Sequence, residues 1–220
     1  PDGGNSWYVN WAESSGGVKN KWADYIARDL VRYVDSSYRT IADRKGRAVS
    51  GLSMGGYGAV MLGLKYPGVF CSAASHSGAL TIAREWKRAL EKASDPFVIW
   101  PSALKSDMRP YDISIPGFTS QKERTPEGKI VRTPEDAAAY DPFVLVSRVP
   151  LDSIPHIYLD CGSGDNLVSG TDDFMDLLRR KNIPFVYGQS GGGHEEAYWA
   201  REIAVSLAVQ EAVMRRQLKH

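Results

Sequence analysis

Gly51-Leu52-Ser53-Met54-Gly55-Gly56 sets a serine between glycines two positions before and two positions after it. Residues 46–50, with Ala48 and Val49, read as a short buried strand, and residues 54–65 read as a helix rich in small side chains. A serine at such a strand-to-helix junction sits on a sharp, strained turn that lifts its hydroxyl above the sheet. It also lies at a helix N-terminus, where the Met54 N–H can stabilise a developing oxyanion. The chemistry this spacing suits is attack of the Ser53 hydroxyl on a carbonyl carbon.

A serine hydroxyl needs a base that takes its proton as it attacks. The chain has four histidines. His220 ends the chain, and His156 precedes a strand core, where a structural role fits best. His194 closes Ser190-Gly191-Gly192-Gly193, a glycine-rich loop after the last predicted strand that can bend back over the turn at Ser53. It is the first candidate for the base. His76, in Ala74-Ser75-His76-Ser77-Gly78, is the second, at a place in the chain suited to a pocket wall. The acid is sought in Leu159-Asp160-Cys161-Gly162-Ser163-Gly164-Asp165. Asp165 lies past a Gly-Ser-Gly turn that carries it towards the histidine loop. Asp160 is nearer the strand and suits a capping role.

These residues need a scaffold. Apolar spacing predicts a helix over 22–38, with Trp22, Tyr25, Ile26, Leu30, Tyr33, Val34 and Tyr38 on one face. Further strands are expected at 69–74, 157–159 and 184–187, and helices at 168–181 and from 195 to about 218. Strands alternating with helices imply an α/β fold with a mostly parallel sheet covered on both faces. Residues 81–140 break the rhythm with many prolines and scattered aromatics, and read as an insertion over the sheet within one domain spanning 1–220. Loop aromatics that could grip an acyl or aryl group are Trp7, Tyr8, Trp100 and Tyr198. Trp199, spaced with Ile203 and Leu207, reads as core.

Composition narrows the classes. Lys plus Arg is 27 and Asp plus Glu is 26, a balance that disfavours a dedicated nucleic-acid or polybasic membrane binder. At 43% hydrophobic and 24% charged, the chain is expected to fold. No apolar run approaches the roughly 20 residues of a membrane span. Cys71 and Cys161 have no metal-ligand spacing. No signal peptide is visible, so a cytoplasmic and a secreted location are both open.

Several motifs occur together in order: Pro1-Asp2-Gly3-Gly4-Asn5-Ser6-Trp7-Tyr8, Gly51 to Ala59, Ala139-Tyr140-Asp141-Pro142, Leu159 to Asp165, and Gly193-His194 with Tyr198-Trp199. In these the chain resembles the esterase-D-like serine esterases of the alpha/beta hydrolases. That group includes S-formylglutathione hydrolases, feruloyl and acetylxylan esterases, enterobactin-type esterases and mycolyltransferases. The resemblance implies an alpha/beta-hydrolase fold with Ser53, Asp165 and His194 as nucleophile, acid and base, and Met54 in the oxyanion hole. It implies no metal and no cofactor, and a small-molecule ester as substrate. The expected reaction is hydrolysis of short-acyl or hydroxycinnamoyl esters through an acyl-enzyme. Alternatives are an S-formylglutathione-type thioesterase, an acyltransferase to a sugar and an inactive hydrolase-like fragment.

The family's early strands, and the loop that supplies a second oxyanion N–H, are absent from the chain as it stands. An upstream segment, or a second copy in a homo-oligomer, is the expected partner for the exposed sheet edge. Glu195-Glu196 also departs from the family. Two carboxylates beside the base would disfavour anionic substrates, unless both are solvated residues of the following helix's first turn.

Overall fold

The computed structural model describes residues 6–14, 19–92 and 128–219. The Asp2–Asn5 stretch, His220 and the aromatic Trp100 lie outside the described residues.

The chain enters through a two-residue strand β1 (Glu13–Ser14), followed by α1 (Trp22–Asp24). A π-helical turn over Tyr25–Leu30 continues α1 into α2 (Val31–Ser37). The helix expected at 22–38 is therefore present, but its apolar face is only half used. Ala23 and Ala27 are buried, whereas Tyr33 and Tyr38 are 60% and 63% exposed and meet edge to face. A π-turn widens the helix by one residue per turn, so the apolar stripe leaves the core beyond it.

The sheet follows: β2 (Ala48–Leu52), α3 (Met54–Lys65), β3 (Ser72–His76) and α4 (Ile82–Lys92). A second two-residue strand, β4 (Gly128–Lys129), pairs antiparallel with β1. Then come the short helices α5 (Pro134–Ala138) and α6 (Pro142–Leu145), β5 (His156–Asp160), α7 (Val168–Arg180), β6 (Phe185–Gly188) and α8 (Glu196–Gln217). The four longer strands pair in the order β2-β3-β5-β6, all parallel.

Side chains alternate across a strand, which fixes the layers. Ala73 and Ser75 of β3 meet α3 at Gly63 and Gly56. His76, on the opposite face, reaches Ser206 of α8. The sheet is thus sandwiched between α3 and α8. α3 is buried from Gly56 to Leu64, which is why its sequence is apolar all round rather than striped. β2 borders only β3 among the described residues, and Gln210 of α8 donates to its Val49 carbonyl at 2.9 Å.

The strand expected at 69–74 is displaced to Ser72–His76. Val69, Phe70 and Cys71 supply apolar character without ladder pairing. The Val69 N–H closes a turn to Tyr66 O, and the Cys71 N–H goes to Arg47 O.

Candidate active site

The site forms where β2, β3, β5 and β6 end. Ser53 follows β2 directly, with φ 52° and ψ −117°, left-handed backbone that a serine adopts only under constraint. Its N–H donates to His76 O at 2.8 Å, and its carbonyl accepts from the Tyr57 N–H at 3.1 Å. Gly51 is required for this turn, because a Cβ there would lie 2.3 Å from the Gly55 carbonyl oxygen. Met54 is the first residue of α3, so its N–H has no carbonyl one turn earlier to bond.

The acid and histidine loops, after β5 and β6, are tied together. The Ser163 N–H donates to Ser190 O at 3.0 Å and the Gly164 N–H to Gly192 O at 2.9 Å. A Cβ on Gly162 would lie 2.4 Å from Gly192 O, so the two backbones approach as only glycine permits. The histidine loop is also braced from α8. Arg201 donates to Gly191 O at 2.7 Å, and the Ser190 hydroxyl donates to Glu202 at 2.6 Å.

From these loops a continuous line of hydrogen bonds is built. His194 Nε2 lies 2.8 Å from Ser53 Oγ, and His194 Nδ1 lies 2.9 Å from Asp165 Oδ2. A carboxylate only accepts, so Nδ1–H donates to Asp165 and bare Nε2 accepts from the serine hydroxyl. Asp165 Oδ1 is held by the Leu167 N–H at 2.8 Å. Burial opposes its ionisation. The Leu167 N–H, the Ser77 hydroxyl and the His194 ring outweigh that, and keep the carboxyl below the usual carboxylate range. Burial, then the Asp165 charge, pushes the nearby Cys161 thiol up to about 11, so it stays an inert S–H.

The other residues singled out in the sequence fall variously. His76 is neither base nor pocket wall. It is 1% exposed, with Nδ1 2.6 Å from Asp160 Oδ2 and Nε2 2.9 Å from Ser206 Oγ. Asp160 is likewise buried, and burial and its charge push the phenols of Tyr158 and Tyr198 up. His156 takes its structural role, 3.4 Å from the Ser72 hydroxyl.

Tyr198 and Trp199 exchange the roles their sequence suggested. Tyr198 is 1% exposed and packs under Gly192, so it is interior. Trp199 is half-buried and stands edge to face on the His194 ring at 4.8 Å. The helix starts at Glu196, and a step of one residue turns a side chain by about 100°, enough to swap the two. Ile203 and Leu207, the expected core companions of Trp199, are 39% and 53% exposed.

Trp7 and Tyr8 both have positive φ, 54° and 56°. Trp7 packs edge to face on Tyr57 and Trp86, and the Tyr8 ring lies against α3 at Gly58. Glu195 is exposed and accepts from the Gly193 N–H at 3.1 Å. No cluster of residues suited to hold a metal occurs among the described residues, and no described helix is long and apolar enough to cross a membrane.

A parallel sheet with a serine on the turn after one strand, and an acid and a histidine on loops after two others, is the alpha/beta-hydrolase arrangement. The chain belongs to the esterase family, whose model matches residues 1–209. It is 42% identical over 195 residues to Esterase Rv1288 of Mycobacterium tuberculosis, a match covering 88% of this chain and 40% of the relative. It is 26% identical over 206 residues to an acetyl esterase of Caldicellulosiruptor saccharolyticus, covering 93% of this chain and 67% of that protein. Among solved structures, a ferulic acid esterase superposes with a TM-score of 0.61 at 21% identity, covering 94% of this chain and 67% of that one. The chain thus spans well under half the length of its mycobacterial relative.

Proposed function

We propose that the protein is a serine carboxylesterase working through an acyl-enzyme. The observation that carries this reading is the unbroken line from Ser53 Oγ through His194 to Asp165, at 2.8 and 2.9 Å. Ser53 Oγ attacks the ester carbonyl carbon as its proton passes to His194 Nε2. The Met54 N–H faces the oxyanion of the tetrahedral adduct, and Asp165 holds the imidazolium without taking the proton. Collapse breaks the C–O bond to the leaving alcohol, which receives the proton from His194. Water, deprotonated by the same nitrogen, then releases the acid and restores the serine.

Short acyl groups are the favoured substrates, in keeping with the acetyl esterase relative. Trp199 against the His194 ring and Tyr8 beside Gly55 also suit a hydroxycinnamoyl group. In this reading residues 1–220 form one domain with an insertion at about 81–140. The side of β2 that bears no strand among the described residues is where a further strand, of this protein or of a second copy, would pair.

A fluorophosphonate probe tests the reading. Stoichiometric labelling that disappears in Ser53→Ala supports it, and folded protein that takes no label refutes it. A panel of p-nitrophenyl acetate, methyl ferulate and a glutathione thioester then orders the substrates. Product partitioning with an added sugar alcohol separates hydrolysis from acyl transfer.

A further inference from the structure

Ser77 follows β3 directly and has φ 46°, left-handed backbone like that of Ser53. Its N–H donates to the Asp160 carbonyl at 2.8 Å, which seats the turn at the end of β5. A glycine would adopt this backbone without steric cost, so the serine contributes one thing a glycine lacks, a hydroxyl. That hydroxyl is wholly buried and stands close enough to the Asp165 carboxylate to help keep it ionised, yet it forms no well-aligned hydrogen bond in the resting arrangement. The ionisable side chains it bears upon are Asp165 and Cys161. A buried hydroxyl left without a formed bond, on a strained residue beside a catalytic carboxylate, calls for a functional explanation.

The carboxylate has room for it. Asp165 Oδ1 accepts from the Leu167 N–H and Oδ2 from His194, and each carboxylate oxygen can accept twice. The Cys161 thiol, kept protonated, offers no competing charge. We propose that Ser77 is a positioning residue of the ester hydrolase: its hydroxyl donates to the Asp165 carboxylate and steadies it while His194 carries the serine proton. The bond is loose at rest and tightens as the imidazolium forms opposite the carboxylate, when charge-assisted hydrogen bonds gain most. The inference rests on the triad reading above.

The test uses two substitutions that share the loss of the hydroxyl and differ in backbone. Ser77→Ala keeps the left-handed strain, and Ser77→Gly relieves it. Turnover of p-nitrophenyl acetate is measured for both, beside wild type and Ser53→Ala, with thermal melts of each. Loss of one charge-assisted hydrogen bond should lower kcat about tenfold in both variants, with KM within about twofold of wild type. The glycine variant should melt higher than the alanine variant although both are slow. Wild-type kcat in either variant overturns the proposal, because backbone and not hydroxyl then matters. A loss carried by KM alone overturns it as well. If Ser53→Ala itself keeps its turnover, the triad reading falls first and is recognised as the cause.

Discussion

Two Ser–His–Asp sets occupy this molecule, on neighbouring strand ends. One is Ser53–His194–Asp165, with contacts of 2.8 and 2.9 Å. The other is Ser206–His76–Asp160, with contacts of 2.9 and 2.6 Å. Residue types and distances barely separate them, yet three physical differences do. The His194 side chain is 23% exposed and that of His76 1%, so only the first can meet a substrate. Ser53 stands on a strained turn at a helix start, whereas Ser206 lies inside α8. The hydroxyl partners differ as well. The Ser206 hydroxyl has the Ile203 carbonyl at 3.0 Å as a second partner, which competes with His76 Nε2 for its single proton. The Ser53 hydroxyl has His194 Nε2 at 2.8 Å. Backbone support and access thus separate the two sets where composition does not.

The largest effect that would break this comparison is in turnover. Ser53→Ala should lower kcat on the order of 10⁶-fold, while Ser206→Ala stays within about threefold of wild type by the same p-nitrophenyl acetate assay. Comparable losses in the two would erase the distinction. The acids come next. Asp165→Asn should cost about 10⁴-fold in kcat with the fold intact, because the imidazole loses its tautomer and orientation. Asp160→Ala should instead lower stability by about 1–3 kcal/mol in urea titrations, since it leaves the buried His76 Nδ1 without its partner, and should cost far less in kcat. A reversed ranking would exchange the two roles.

A pH effect, the smallest, sharpens the contrast. The folded-state pKa of Asp165 lies below its ordinary value of 3.8, so its contribution to stability is complete above that value. It is lost as pH falls through the lowered one. The gap in urea midpoint between wild type and Asp165→Asn should thus hold steady from neutral pH down to the ordinary carboxylate range and narrow below it.

Much of the Ser53–His194–Asp165 arrangement was legible in the chain because it is local. The Gly51-to-Gly55 spacing fixes the turn at Ser53, and the glycine runs before Asp165 and His194 announce loops that can reach it. The buried half was not legible. Nothing in the spacing around Ser206 says that a helix residue will meet a strand-end histidine 130 positions earlier. The Tyr198–Trp199 exchange turns on a single helical step, and periodicity places helix starts no better than that. The π-turn at Tyr25–Leu30 has no mark in the apolar spacing, and the exposure of Tyr33 and Tyr38 beyond it escaped the pattern too.

The backbone bonds from Ser163 to Ser190 and from Gly164 to Gly192 fasten the Asp165 and His194 loops together. The separation of Asp165 and His194 is thus set by backbone as well as by their own contact at 2.9 Å. Ser53 precedes α3 and has no such backbone tie to those loops among the bonds that join them. The proposed acyl transfer would therefore ask its adjustment of the gap between hydroxyl and imidazole.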